Sequence, residues 1–215
     1  MAKGFGVGND VLLAAGLDLM KQNGKPLTKQ SGSGRAMIYA MPNGETVRVR
    51  TSKDRTLIVT ADKPSPHDAK LGIEGTEWLL IVMLEVAFTP GKVEAYLVPT
   101  AVAVAAARAE QQAWLDSQPN TAGKNTAWAL YFDGKQPATG TDFKDAWNAY
   151  RLSGDALIAP DGTLVQTPTT SGVGQTVSVG EVGIIQAEVA IARQRIATSA
   201  GVSPAAVRIT IDFGG

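Results

Sequence analysis

A chain of 215 residues, 44% apolar and 19% charged, has the composition of a folded protein and is long enough to bury a core as one domain plus an appendage, or as two small domains. Cysteine is absent, which excludes a disulfide framework, a thiolate zinc site and a cysteine nucleophile, and makes the reducing cytoplasm the expected location. The formal charge of zero conceals an asymmetry. Residues 1–55 carry nine basic groups against four acids and the remainder eleven against sixteen, so a basic face could meet a polyanion or be neutralised by the acidic part of the same molecule.

The first eight residues hold Gly4, Gly6 and Gly8 but neither the apolar run of a secretory signal nor the lysine and hydroxyl of a phosphate loop, and read as a flexible terminus. Asn9 is placed to cap a helix carrying Val11, Leu12, Ala15, Leu19 and Met20, with Asn23-Gly24 as its stop. Residues 24–34 (GKPLTKQSGSG) read as a mobile surface loop. Residues 35–41 and 46–51 (TVRVRT) are strand-like, and Asn43-Gly44 between them signals a hairpin. A third strand is expected over 56–60, followed by an aperiodic connection over 61–76.

Residues 78–84 (WLLIVML) are apolar without alternation, as in a strand covered on both faces, and residues 93–98 are expected to pair with them. The apolar run is strand-sized, far short of the ~18 residues that cross a bilayer, so no membrane partner is expected. Thr100 is placed to cap an alanine-rich helix reaching Asp116. A strand is expected over 127–132 and a short helix over 142–150, carrying Phe143, Ala146, Trp147 and Tyr150. The Gly, Thr and Pro content then marks a linker over 154–177. Beyond it, Ile185, Val189, Ala192 and Ile196 form a helical stripe, Gly201 ends the helix, and Val207, Ile209, Ile211 and Phe213 alternate as a strand.

The expected architecture is mixed α/β of the α+β kind: a core domain over 1–153 with a central mixed β-sheet flanked by helices, the linker 154–177, and a carboxy-terminal helix-strand unit over 178–215. With fewer than ~40 residues, that last unit must pack on the main body or on another chain, which makes it the expected contact for a homo-oligomer or a protein partner.

Catalytic signals are thin. The single His67 sits in Ser65-Pro66-His67-Asp68, but no Gly-x-Ser-x-Gly elbow accompanies it. One histidine cannot build a typical zinc site, and Glu74, Glu77, Glu85 and Glu94 around the apolar strands are the only acids suggested for Mg²⁺. No catalytic residue, metal or cofactor is therefore assigned.

The informative stretch is residues 46–51. Strand alternation turns Val47 and Val49 to one face and Arg48 and Arg50 to the other, with Arg35, Lys53 and Arg55 close in sequence. Two guanidiniums on one sheet face suit phosphate, and the same pair could instead be a solvated face neutralised by Glu45, Asp54 or acids of the next strand. If that face binds phosphate, replacing either arginine should weaken binding without disturbing the fold.

The order helix, hairpin, VRVRT strand, WLLIVM strand, then VEAYLVP entering a helix resembles the core of PD-(D/E)XK nuclease-like proteins over residues 10–117. The resemblance implies an acid and a lysine on the central strand. Here Arg48 stands at the acid's place and Arg50 at the lysine's, with Met41 or Pro42 near the place of a further aspartate. Arginine does not coordinate a cation, so the resemblance implies a fold whose usual catalysis is lost and whose phosphate affinity remains. The whole chain, particularly the segments GIEGTEWLLIVM and GVSPAAVRITI, also resembles hypothetical proteins of rhizobia and related alphaproteobacteria, which implies no activity.

The expected function is that of a non-enzymatic, nucleic-acid-associated accessory protein, holding DNA or RNA through Arg35, Arg48, Arg50, Lys53 and Arg55. An assembly module that ignores nucleic acid is the alternative, and a divergent metal-dependent nuclease the second.

Overall fold

The computed structural model describes residues 6–32, 37–118 and 125–165. All belong to the first of two units into which the chain divides, Met1–Thr169 and Thr170–Gly215. The expected carboxy-terminal helix-strand unit, Gly201 with it, lies outside the described residues.

A five-stranded mixed sheet runs in the order β1-β2-β3-β5-β6, built from β1 (Thr28–Ser31), β2 (Ile38–Ala40), β3 (Thr46–Ser52), β5 (Trp78–Leu84) and β6 (Val93–Pro99). All neighbours are antiparallel except β3 and β5, which are parallel with Arg48 opposite Leu79 and Arg50 opposite Ile81. The β2–β3 hairpin turns through Pro42 and Asn43: the Gly44 amide donates to the Met41 carbonyl at 2.9 Å, and Gly44 takes φ +87°, which glycine adopts without a Cβ clash.

Each face of the sheet has its own core. On one face Val47, Val49, Leu80, Val82, Ala95 and Leu97 meet Leu12, Ala15, Leu19 and Met20 of α1 (Asn9–Gln22). The helix lies so close that a Cβ on Gly16 would stand 2.3 Å from a Val82 methyl. On the other face Leu79, Ile81, Met83, Tyr96 and Val98 meet Ala103 and Ala107 of α2 (Thr100–Ser117) and a second, two-stranded sheet. That sheet joins β4 (Thr56–Thr60) to β7 (Ala127–Tyr131) in antiparallel register, with Leu57, Val59, Trp128 and Leu130 turned inward. Helices thus flank a central mixed sheet, and β5 is buried on both sides. Among the described residues no helix is long and apolar enough to cross a membrane.

The structure departs from the sequence reading in four local respects. Gly8 and Pro99, not Asn9 and Thr100, occupy the helix N-cap positions. Val7, within the stretch expected to be flexible, is buried in the α1 core. Residues 28–31, within the expected surface loop, form edge strand β1, because their exposed polar side chains leave the backbone able to pair with β2.

The expected linker, finally, is a packed segment over its first residues. Val93 donates its amide to Ala156 O at 2.9 Å and Ile158 donates to Gly91 O at 2.8 Å, continuing a path begun just before the linker by Leu152, whose amide donates to Ala95 O at 2.8 Å, so the chain runs along the edge of β6. It then turns through a small hairpin of β8 (Leu157–Ile158) and β9 (Leu164–Val165), with Ala156 and Ile158 buried. Asn23 at the end of α1 closes the contact: its Nδ2 donates to Ser153 O at 2.7 Å, and its Oδ1 accepts from Ser153 Oγ at 2.8 Å.

Candidate nucleic-acid interface

The sheet face bearing Arg48 and Arg50 is the one opposite Val47 and Val49, as alternation requires, but it is not open. The crossover from β4 to β5 folds over it, with Ala69, Leu71 and Ile73 buried in the second core. Arg48 Nη2 donates to Glu74 O at 3.2 Å, and Arg50 Nη2 to Gly72 O at 2.8 Å. From α2, Arg108 Nη2 donates to Ala69 O at 3.1 Å and pairs with Glu74 Oε1 at 3.2 Å. Three guanidiniums therefore hold the carbonyls of one crossover segment. Arg48 and Arg50 are both fastenings of the fold, and their half-buried positions and ties to the crossover run against the expectation that either could be replaced without disturbing folding.

Beyond the end of β3 the chain makes a tight connection to β4. Ser52 Oγ donates to Asp54 Oδ1 at 2.7 Å and accepts from the Thr56 amide at 2.9 Å. Arg55 takes φ +60°, uncommon for a residue with a side chain, and this rotation separates the fates of its neighbours. Arg55 turns inward to 3% exposure. Its guanidinium donates to Leu84 O at 2.7 Å, Glu85 O at 2.9 Å, Phe132 O at 2.9 Å and Glu94 Oε2 at 2.9 Å. This removes Arg55 from any phosphate surface: every donor direction points into the protein, and a buried unpaired arginine would be prohibitively costly.

Glu94, 2% exposed on an otherwise apolar strand, collects two further cations. Arg151 Nη2 lies 2.9 Å and Lys144 Nζ 3.7 Å from Oε1. No donor is aligned on Oε1, so these approaches are ion pairs rather than hydrogen bonds. Tyr96 OH is 3.4 Å from Oε2, and burial, reinforced by the Glu94 charge, pushes the phenol up to about 12. Phe132, Phe143 and Trp147 pack around the cluster with ring centroids 4.8 to 6.1 Å apart, Trp147 edge to face against both phenylalanines.

Lys53 stays half-buried at the surface, and with Arg50 it lines a cleft of about 250 Å³ whose walls include Thr51, Asp54, Thr56 and Thr60. Phe88, from the β5–β6 connection, stands on the rim. Its amide donates to Lys53 O at 2.7 Å, its φ is +56°, and it is 73% exposed. Of the five residues singled out from sequence, then, the cleft brings together Arg50 and Lys53. Arg48 lies under the crossover, Arg55 is internal, and Arg35 lies outside the described residues. Phe88 had no place in the sequence reading. The available signal was an aromatic residue between turn formers, in AFTPGK, where a hairpin tip gives it nothing to pack on.

Other concavities suit phosphate less well. A groove of about 530 Å³ between α2 and β7, lined by Glu110, Gln111, Trp114, Trp128 and Gln136 among others, has no lysine or arginine among its described lining residues. The acids once suggested for Mg²⁺ are dispersed: Glu94 is ion-paired inside, Glu74 pairs with Arg108, Glu85 is exposed, and Glu77 accepts from the amide and hydroxyl of Thr46, which holds its carboxyl below the usual range. Among the described residues no three or more histidine, aspartate or glutamate side chains are grouped to hold a metal. Ser65 Oγ reaches Asp68 Oδ2 directly at 3.5 Å, without His67 between them. No family model, no curated protein and no solved structure matches this chain.

Proposed function

We propose that the protein is a non-enzymatic accessory factor that binds the phosphate backbone of a nucleic acid at the end of β3. The observation that carries the reading is the convergence of Arg50 and Lys53 on one open cleft that also holds the hydroxyls of Thr51, Thr56 and Thr60, in the basic part of a chain whose charge is unevenly distributed. Arginine and lysine side chains with hydroxyls nearby are the groups that contact phosphate oxygens. The ion pairs among the described residues do not include Lys53, so its ammonium is the group best placed to release a counterion.

The test is a titration of labelled DNA and RNA at several salt concentrations with the parent, Lys53→Ala and Lys53→Glu. Expected are weaker binding by both variants irrespective of sequence, and for Lys53→Ala a log K against log salt slope shallower by about 0.7 to 0.9. A parent that binds neither nucleic acid at low salt, or variants as tight as the parent, would leave the assembly module as the better reading. That alternative has its own support in the apolar side chains at the surface, Ile58, Val86, Phe88 and Tyr131.

A further inference from the structure

Phe88 is the least economical residue in the fold. A bulky side chain at φ +56° is a backbone outlier, of the kind that persists where the surroundings enforce it and that clusters at ligand sites. The ring contributes little to the core, being 73% exposed, so folding gains almost nothing from carrying an aromatic there. Glycine would relieve the strain, as Gly91 does three residues later at φ +152°. What the geometry secures is a position: the Phe88 amide, held by Lys53 O at 2.7 Å, fixes the ring at the rim of the cleft that Lys53 and Arg50 line.

We infer that Phe88 is a base-stacking platform and that the ligand of the cleft is single-stranded nucleic acid. This inference rests on the phosphate-binding reading and narrows it. A duplex presents its sugar-phosphate exterior and keeps the faces of its bases against one another, so a solvent-exposed ring beside a phosphate contact has no base to receive. A single strand offers both groups to neighbouring side chains: phosphate oxygens to Lys53 and Arg50, and an unstacked base to Phe88. Every base has a π-face, so the arrangement tolerates sequence. The connection bearing Phe88 is anchored through the backbone of the residue that supplies the ammonium, which fixes stacking and charge relative to one another.

The experiment uses the full chain and three probes of equal length: an oligothymidylate, the same strand annealed to its complement, and an abasic strand with an unchanged phosphate backbone. The variants are Phe88→Gly, Phe88→Ala, Phe88→Trp and Lys53→Ala, each with a thermal melt. Expected are a preference of the parent for the oligothymidylate over both other probes by about tenfold or more, its loss in Phe88→Gly and Phe88→Ala with the salt slope unchanged, and its retention in Phe88→Trp. Phe88→Gly should melt no lower than the parent, since it removes the strain, so its loss of affinity is not a folding defect.

Equal binding of the abasic strand by the parent, or full affinity in Phe88→Gly, overturns the inference. If Lys53→Ala still weakens binding in that case, the phosphate reading survives alone. A parent that binds no probe removes both. Self-association that Phe88→Ala abolishes, seen by light scattering without an effect on oligonucleotide affinity, reassigns the ring to a protein contact and overturns stacking. Should the small variants fail to fold, the Phe88→Trp comparison on abasic and normal strands decides the matter.

Discussion

Lys53 and Arg55 are two residues apart, yet one opens onto a cleft and the other disappears into the protein with Glu94. At the cleft, the Lys53 charge meets solvent, hydroxyls and Asp54, and nothing in the fold depends on it strongly. Around Glu94, a carboxylate and an arginine are both desolvated, and their attraction, together with four backbone acceptor contacts to Arg55, offsets that cost. Basic residues in one short connection thus serve unrelated purposes, and what separates them is the left-handed turn at Arg55 and the arrival of partners 39 and 77 positions away. A charge dedicated to the fold should be expensive to remove and insensitive to salt; one dedicated to a ligand should be cheap to remove and salt-sensitive.

The largest effect should come from Glu94→Ala, which leaves Arg55 buried without its counter-charge. A loss of about 3 to 5 kcal/mol in urea unfolding is expected, and little change with added salt. An unchanged urea midpoint would erase the distinction. The double replacement Arg55→Met with Glu94→Met should recover only part of the loss, since it removes both charges but also the donors that Leu84 O, Glu85 O and Phe132 O accept from.

Tyr96 sharpens the comparison through pH. Its folded pKa of about 12 lies above the usual 10, so the folded state holds the phenol proton more tightly than the unfolded state. The corresponding stabilisation is complete below pH 10 and disappears as pH rises from 10 towards about 12. Relative to Tyr96→Phe, the parent should therefore lose up to roughly 2 to 3 kcal/mol across that interval, at about 1.4 kcal/mol per pH unit. Parallel alkaline unfolding curves for the two proteins would contradict the buried position of the phenol beside Glu94.

Arg48 falls between the two regions. Losing its tie to Glu74 O and its stem packing should cost about 1 to 2 kcal/mol in Arg48→Ala, read by thermal melts or denaturant unfolding. Lys53→Ala, at the far end of the scale, should stay within about 0.5 kcal/mol of the parent. If Arg48→Ala is as silent as Lys53→Ala, the crossover is not held by its guanidinium.

What the sequence makes legible follows from the range of the interactions involved. Val47, Val49 and the run from Trp78 to Leu84 announce their burial through local alternation and continuous apolarity, and the Asn43-Gly44 turn joins adjacent strands. The departure of residues 56–60 into a second sheet depends on a strand some 70 positions later, and local pattern does not report it. The packed start of the expected linker is invisible for the same reason: its glycines and threonine are compatible with a turn, and only Val93, Gly91 and Gln22 explain why the chain holds still there. At the cleft, Arg50 and Lys53 were legible as charge beside a strand, whereas the inward turn of Arg55 and the strained, outward Phe88 are set by backbone angles that composition does not encode.

The displacement of β4 from its sequence neighbours also sets a timetable for the growing chain. Strands β3, β5 and β6 are all present once Pro99 has been made, and their pairing with α1 buries most of one face, which Ala156 and Ile158 complete later. Strand β4 is already synthesised by then, but Ala127–Tyr131 has not yet appeared, and neither have Lys144 and Arg151, two of the three cations that surround Glu94. A nascent protein therefore passes through a stage in which its main sheet can close while Leu57, Val59, Ile81 and Tyr96 still lack most of their cover and Glu94 has only Arg55. Contacts of such long sequence separation form late, and exposed strands with open edges invite mispairing. That interval on the ribosome is where this chain is most open to mispairing.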